Sequence, residues 1–217
     1  SDAKLILVVV AKLASKSRGI LRMQNFSWRE LMKWSWLVLV GLLCTIVSET
    51  THAISLKEYA EKPFGRVLML RHALAPGFGD PSNFQLRDCS TQRILDEVGR
   101  EQSRQIGNAF RKAGLRFEGV YSSQWCRCLE TAKLINMGKV QELKGLNSFF
   151  QGIVPRVATL ASLRKFLQYL PPDGDPVLLV THQVTISAIT GMGVFSGAAV
   201  AYDPVSDQAQ RVKLPTD

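Results

Sequence analysis

Val177-Leu-Leu-Val-Thr181, followed at once by His182, is the stretch whose reading decides the fold. A short unbroken apolar run bounded by turn residues, here the breaker Pro171-Pro-Asp-Gly-Asp-Pro176, reads as a strand buried on both faces. Working outward, Arg66-Val-Leu-Met-Leu70 is a second such run and ends in Arg71-His72. Gly119-Val-Tyr-Ser122 is a third. Between these runs the apolar period changes to that of a helix. Residues 96–113 place Ile106, Ala109, Phe110 and Ala113 at i, i+3, i+4 and i+7, with Gly114 as the stop. Residues 124–136 put Cys128, Leu129, Ala132 and Ile135 on one face, with Ser123 as the expected cap. Residues 156–170 align Leu160, Leu163, Leu167 and Leu170, and a further helix is expected over 184–190. Weaker strands are predicted at 140–143, 198–202 and 208–213, and loops at 76–83 and 147–155. Buried strands separated by helices of this length specify an α/β protein with a mainly parallel sheet covered on both faces.

The composition agrees. The chain has 217 residues, of which 46% are hydrophobic and 21% charged, values that exclude collagen-like, coiled-coil and disordered classes. Four cysteines without a CxxC pair give neither a disulfide scaffold nor zinc-ligand spacing. The net charge of +9 divides into +4 for residues 1–53 and +5 for residues 54–217. A moderately basic body suits anionic substrates, whereas the scattered basic residues carry no nucleic-acid recognition motif.

Residues 1–53 read as an extension outside the fold, and residues 54–217 as the folded domain. Met32-Lys33 opens a run of 14 uncharged residues from Trp34 to Val47, shorter than the roughly 20 needed to span a bilayer core. Ser48-Glu-Thr-Thr-His-Ala53 then offers Thr51 and Ala53 in the small-residue pattern of a signal-peptidase site. A basic start, a short apolar centre and a small-residue end describe a secretory signal peptide, with an uncleaved anchor or a buried helix as the alternative. Leu43 before Cys44 does not suit lipidation. Residues 1–31 read as sequence upstream of the true start, with Met23 or Met32 as initiator. The expected location is periplasmic or secreted, with no stable membrane anchor after cleavage.

Ligands of such sheets bind at the carboxyl ends of strands, where Arg71-His72, Ser122-Ser123 and His182 all lie. If those strands are neighbours, His72, Arg71, Arg127 and His182 converge on one cleft. Two guanidiniums suit a phosphate dianion, and nearby helix amino ends add N–H donors. Beside such cations a histidine is pushed toward its neutral form, whose lone pair can attack phosphorus. A second histidine can stabilise the transferring oxygens. Taken singly, each Arg-His or Thr-His pair is equally well read as a solvated strand cap.

Four motifs resemble those of one family, in the family's order. Leu70-Arg-His-Ala73 resembles the Arg-His-Gly signature of the histidine phosphatase superfamily, also called phosphoglycerate-mutase-like. The segment from Leu95 to Gln102 is similar to its Leu-Thr-x-x-Gly-x-x-Gln element. Ser122-Ser-Gln-Trp-Cys-Arg127 through Thr131-Ala132 resembles its Ser-Ser-x-x-x-Arg-x-x-x-Thr-Ala helix start, and Val180-Thr-His-Gln183 its second-histidine motif. The resemblance implies a three-layer α/β/α sandwich without a required metal, and no cofactor is expected. It implies a phosphomonoesterase in which His72 is the phosphorylated nucleophile and Arg71, Arg127 and His182 form the phosphate pocket.

The sequence departs from that pattern in places. Ala73 and Gln183 each replace a usual glycine, and Ser148 stands where the family has its proton-donating Glu. Serine is a poor acid, so activity would suit substrates with good leaving groups. Asp80, in the loop after the nucleophile, is the substitute donor expected here, its alternative being a turn residue ahead of Pro81. Asp88 is a second, weaker candidate. By the resemblance Cys128 takes a small buried position, and Cys126, pointing outward, can pair with Cys89. The expected substrate is a small phosphate ester or a phosphorylated cell-envelope component. The competing reading is a phosphate- or phosphosugar-binding module that lost catalysis with the Glu. A mutase is disfavoured by the missing acid and the export signal.

Overall fold

The computed structural model describes residues 53–215. Expectations that fall on residues 1–52, the signal peptide among them, lie outside the described residues. The chain order is β1 (Ile54–Ser55), α1 (Leu56–Glu61), β2 (Val67–Arg71), α2 (Glu97–Lys112), β3 (Gly119–Ser122) and α3 (Cys126–Ile135). It continues with β4 (Val140–Glu142), α4 (Arg156–Gln168), β5 (Val177–Thr181), α5 (Gln183–Thr190), β6 (Ala199–Asp203) and β7 (Gln208–Lys213). The strands form one seven-stranded sheet in the order β1-β7-β6-β2-β5-β3-β4. Only β6 runs against the others, pairing antiparallel with β2 and β7.

The alternation of side chains along the two central strands builds both cores. In β2, Leu68 and Leu70 face one side, where Ile106 and Phe110 of α2 and Cys128, Ala132 and Ile135 of α3 cover them. Val67 and Met69 face the other, against Leu163 and Leu167 of α4 and Ile186 of α5. Strand β5 repeats the division, with Leu178 and Val180 in the first cluster and Val177 and Leu179 in the second. Both faces are dry, which is why these strands read as continuous apolar runs. The described residues form the expected α/β/α sandwich.

The register sets the carboxyl ends level. Arg71 of β2 pairs with Thr181 of β5, and Ser122 of β3 pairs with Val180. The amides of His72 and Ser123 then donate to the Thr181 and Val180 carbonyls, at 2.9 Å each. Helix α2 reaches this edge because it carries glycine at the point of contact. A Cβ at Gly99 would run into the Leu74 carbonyl, so only glycine lets the helix approach the segment following His72.

Two local expectations need correction. Helix α3 begins at Cys126 with Trp125 at its N-cap and no side-chain cap. The Ser123 hydroxyl is instead directed at His182. Strand β1 and helix α1 were not predicted. Their signal was present as Ser55-x-x-Glu58, which forms a capping box in which the Ser55 hydroxyl accepts from the Glu58 amide and the Glu58 carboxylate from that of Ser55. Among the described residues, no helix is long and apolar enough to cross a membrane.

Candidate active site

Strands β2, β5 and β3 deliver His72, His182 and the approach to α3 to one edge, and the two imidazoles lie with ring centroids 5.4 Å apart. Arg127, in the first turn of α3, stands between them at 3% exposure. Its Nε donates to His72 Nε2 at 3.2 Å, and its Nη2 lies 3.5 Å from His182 Nδ1. The ring proton of His72 is on Nδ1, which donates to the Ala73 carbonyl at 2.8 Å and leaves the Nε2 lone pair facing Arg127. On the far side of the second ring, His182 Nε2 meets the Ser123 hydroxyl at 2.8 Å, and that hydroxyl donates on to Asn147 Oδ1 at 3.3 Å. Trp125 packs edge-on against His182, with centroids 5.4 Å apart.

Electrostatics follow from this packing. Burial and then the charge of Arg127 hold both imidazoles well below the ordinary histidine value, so both are neutral at physiological pH. Arg71 and Arg93 border the same cavity, and both guanidiniums are lowered by burial and by the like charge of Arg127. Arg71 is anchored through Nη1, which donates to Gln183 Oε1 at 3.1 Å and to the Val194 carbonyl at 2.8 Å. Its buried Nε has no hydrogen-bond partner. A buried donor left unmade costs about 1–3 kcal/mol.

The Asp80 carboxylate closes the arrangement from behind. It binds Arg127 in a fork, at 2.7 Å from Nη1 to Oδ1 and 3.1 Å from Nη2 to Oδ2. It also accepts from the Trp125 indole at 3.0 Å and the Arg93 amide at 3.1 Å. Burial works to raise its pKa, but Arg127, the Arg93 amide and Trp125 outweigh that and hold the acid below the ordinary carboxylate range. This geometry does not favour the donor role expected of Asp80. The residue carries no proton to give near neutral pH, it lies behind the guanidinium rather than at the cavity wall, and its geometry is that of a positioning residue. Asp88 is exposed and caps the turn Cys89–Thr91 by accepting from the Ser90 amide, outside the site. Ser148 does line the cavity, and its hydroxyl accepts from the Phe150 amide at 3.3 Å.

The cavity has a volume of about 170 Å³, and among the described residues its lining has no carboxylic acid and holds Arg71, Arg93, Arg127 and both histidines. Three guanidiniums against the single Asp80 carboxylate, with neutral imidazoles, leave two positive charges uncompensated. A phosphate monoester carries about −1.5 to −2 at pH 7 and matches that excess. Cys89 and Cys126 form a disulfide that ties the segment after His72 to the first turn of α3, one residue from Arg127. Cys128 is a free thiol whose pKa burial pushes up to about 12, and its Sγ touches His182 Nε2 at 3.4 Å. Among the described residues, no three His, Cys, Asp or Glu side chains converge as a metal site.

Residues 67–154 match the family model of the histidine phosphatase superfamily (branch 1). Over these residues the chain is similar to that superfamily. No curated protein matches the chain. Among solved structures, a mycobacterial glucosyl-3-phosphoglycerate phosphatase is similar at 18% identity, covering 67% of this chain and 95% of that one, with a TM-score of 0.46. The protein histidine phosphatase SixA in complex with tungstate is similar at 18% identity over 67% of this chain and 92% of its own, TM-score 0.43. Phosphoglycerate mutase from Thermus thermophilus is similar at 18% identity over 68% and 98%, TM-score 0.48.

Within the site, sequence reasoning missed the roles of Arg93, the indole of Trp125 and Asn147. Each signal was an ordinary polar or aromatic residue in a loop, recognisable only once the fold places it. Gln183, read as a small tolerated change, is the anchor of Arg71.

Two outcomes follow from this geometry. Asp80→Asn, by loosening Arg127, lowers kcat/KM for aryl and alkyl phosphates by the same factor, about tenfold to a hundredfold. A loss confined to alkyl phosphates would restore Asp80 as the donor. The second outcome concerns pH. The unfolded chain binds protons at histidine from about pH 6.5 downward while the folded chain does not, so stability falls as pH drops below about 6.5. Thermal melts over that range should show it, and His182→Gln should flatten the fall by about 1.4 kcal/mol per pH unit. A wild-type Tm that does not move there means that the folded-state imidazoles are already charged.

Proposed function

We propose that the protein is a phosphomonoesterase that works through a phosphohistidine intermediate on His72, on a substrate met outside the cytoplasm. The observation that carries this reading is the lone pair of His72 Nε2, held by the Arg127 Nε–H on a buried neutral imidazole that lines a cavity with two excess positive charges. A binder has use for the cations but little for a nucleophile held in this form.

In the proposed cycle the phosphoryl group enters with its oxygens toward Arg71, Arg93 and Arg127, and the unpartnered Arg71 Nε–H finds an acceptor. Phosphate draws the Arg127 Nε–H away from His72, freeing Nε2. Nε2 then forms a bond to phosphorus as the ester P–O bond breaks, and the leaving oxygen takes the electron pair. Guanidiniums and the His182 imidazole spread the charge on the equatorial oxygens, the means by which phosphoryl transfer is chiefly accelerated. Because a hydroxyl both donates and accepts, Ser123 lets His182 shift its proton to Nδ1 and donate to phosphate. Water attacks phospho-His72 in the second step, giving inorganic phosphate and the original imidazole.

Among the described residues no carboxylic acid lines the cavity, so in this reading the leaving group departs without protonation by a side-chain acid. Esters of acidic hydroxyls are therefore favoured over those of simple alcohols. The same feature is what a binding module without turnover would show. Brief reaction with ³²P-labelled substrate, followed by alkaline quench and peptide mapping, separates the two. Label is expected on His72 alone, and His72→Ala should lower turnover at least about a thousandfold. Phosphate binding without label or turnover, for any ester tried, would establish the binding module instead.

Export is supported by the disulfide, which persists in oxidising compartments, and by the signal-peptide pattern before residue 54. Phosphorylated cell-envelope components and scavenged phosphate esters are then the accessible substrates. N-terminal sequencing of the protein from a periplasmic or medium fraction should begin at or near Ile54. Recovery only from the cytoplasm with residues before Met32 intact would refute export.

A further inference from the structure

Phe78 is 90% exposed, yet it lies at the mouth of the candidate active site rather than on open surface. It sits between Gly77 and Gly79, whose φ values of 94° and 69° need glycine, so the chain turns sharply on both sides to carry the ring outward. There the ring meets Phe150 edge-on, with centroids 5.1 Å apart and planes at 87°. Phe150 is itself 38% exposed and also lines the cavity. The two rings come from separate loops that one side chain locks together: the Asp80 amide donates to Gln151 Oε1 at 2.7 Å, and Gln151 Nε2 donates to the Asp80 carbonyl at 3.2 Å. Arg93 Nε holds the same loop by donating to the Gly79 carbonyl at 3.0 Å. A ring left in water forgoes about 1.5–3 kcal/mol of burial, and here two are held in place by fixed hydrogen bonds beside the reacting cavity.

We propose that Phe78 and Phe150 form an aromatic clasp for the leaving group, and that the substrate class is an aryl phosphate monoester. The inference rests on the phosphatase reading and goes beyond it in naming the group attached to phosphorus. With His72 at the floor of the cavity, in-line attack sends the leaving oxygen toward the mouth, where the two rings lie. A flat ring on that oxygen covers the exposed face of Phe78 and packs against Phe150, since aromatic rings associate in offset and edge-to-face arrangements at centroid distances of about 4.5–7 Å. The chemistry of the cavity selects the same group. It holds no acid to protonate a departing alkoxide, whereas a phenol has a pKa near 10 and leaves as its anion. Stacking and leaving ability thus converge on one ligand.

The test compares phenyl phosphate with acetyl phosphate, a good leaving group that has no ring, on the full-length protein. Phe78→Ala should lower the ratio of their kcat/KM values by about tenfold, Phe150→Leu should lower it in the same direction, and Phe78→Tyr should restore it. Equal losses for both substrates, or wild-type turnover of acetyl phosphate without phenyl phosphate, would overturn the clasp and leave the phosphatase intact. No turnover of either substrate and no label on His72 would overturn the phosphatase reading, and the clasp with it.

Discussion

A guanidinium buried between two uncharged imidazoles is the constraint on which the site depends. Moving such a charge out of water costs several kcal/mol unless a partner and full hydrogen bonding compensate it. Arg127 is compensated by Asp80, whose carboxylate takes two of its N–H groups while the histidines face the others. The buried charge in turn keeps His72 and His182 neutral, because a second positive charge beside it is unfavourable. Nucleophile, anion site and carboxylate are therefore one electrostatic unit, and none of its members has the same chemistry alone.

The sheet makes that unit possible by holding three strand ends level. Dry packing on both faces holds β2, β5 and β3 in register, since a slip of one residue would exchange the side chains fitted against the two helical layers. The loops, in contrast, are held by particular polar contacts. Gln92 accepts from the Cys126 amide, Arg93 grips the Ala75 and Gly79 carbonyls, and the disulfide joins the same segment to α3. Asp80 is placed by these restraints, and its position behind Arg127 makes the expected acid a carboxylate that holds the guanidinium.

Strand runs and helix faces were legible in the sequence because burial leaves a periodic trace. The apolar run at 177–181 and the α2 pattern at Ile106 and Phe110 needed no knowledge of neighbours. His72, His182, Arg71 and Arg127 were legible for a related reason: each follows directly on a periodic element, so its place on the sheet edge comes with the element. Residues in irregular loops leave no such trace. Arg93, Trp125 and Gln151 act through contacts with partners far away in sequence, and Ser123, expected as a helix cap, is bound instead to His182.

By itself the sequence determined the α/β class, the order of the elements and the four side chains carried to the strand ends, because hydrophobic period and chain order are local properties. Tertiary structure alone decided the protonation of those groups and the part played by Asp80. A pKa is set by the charges and the solvent within a few ångströms, and those neighbours come from loops and helices that only folding brings together.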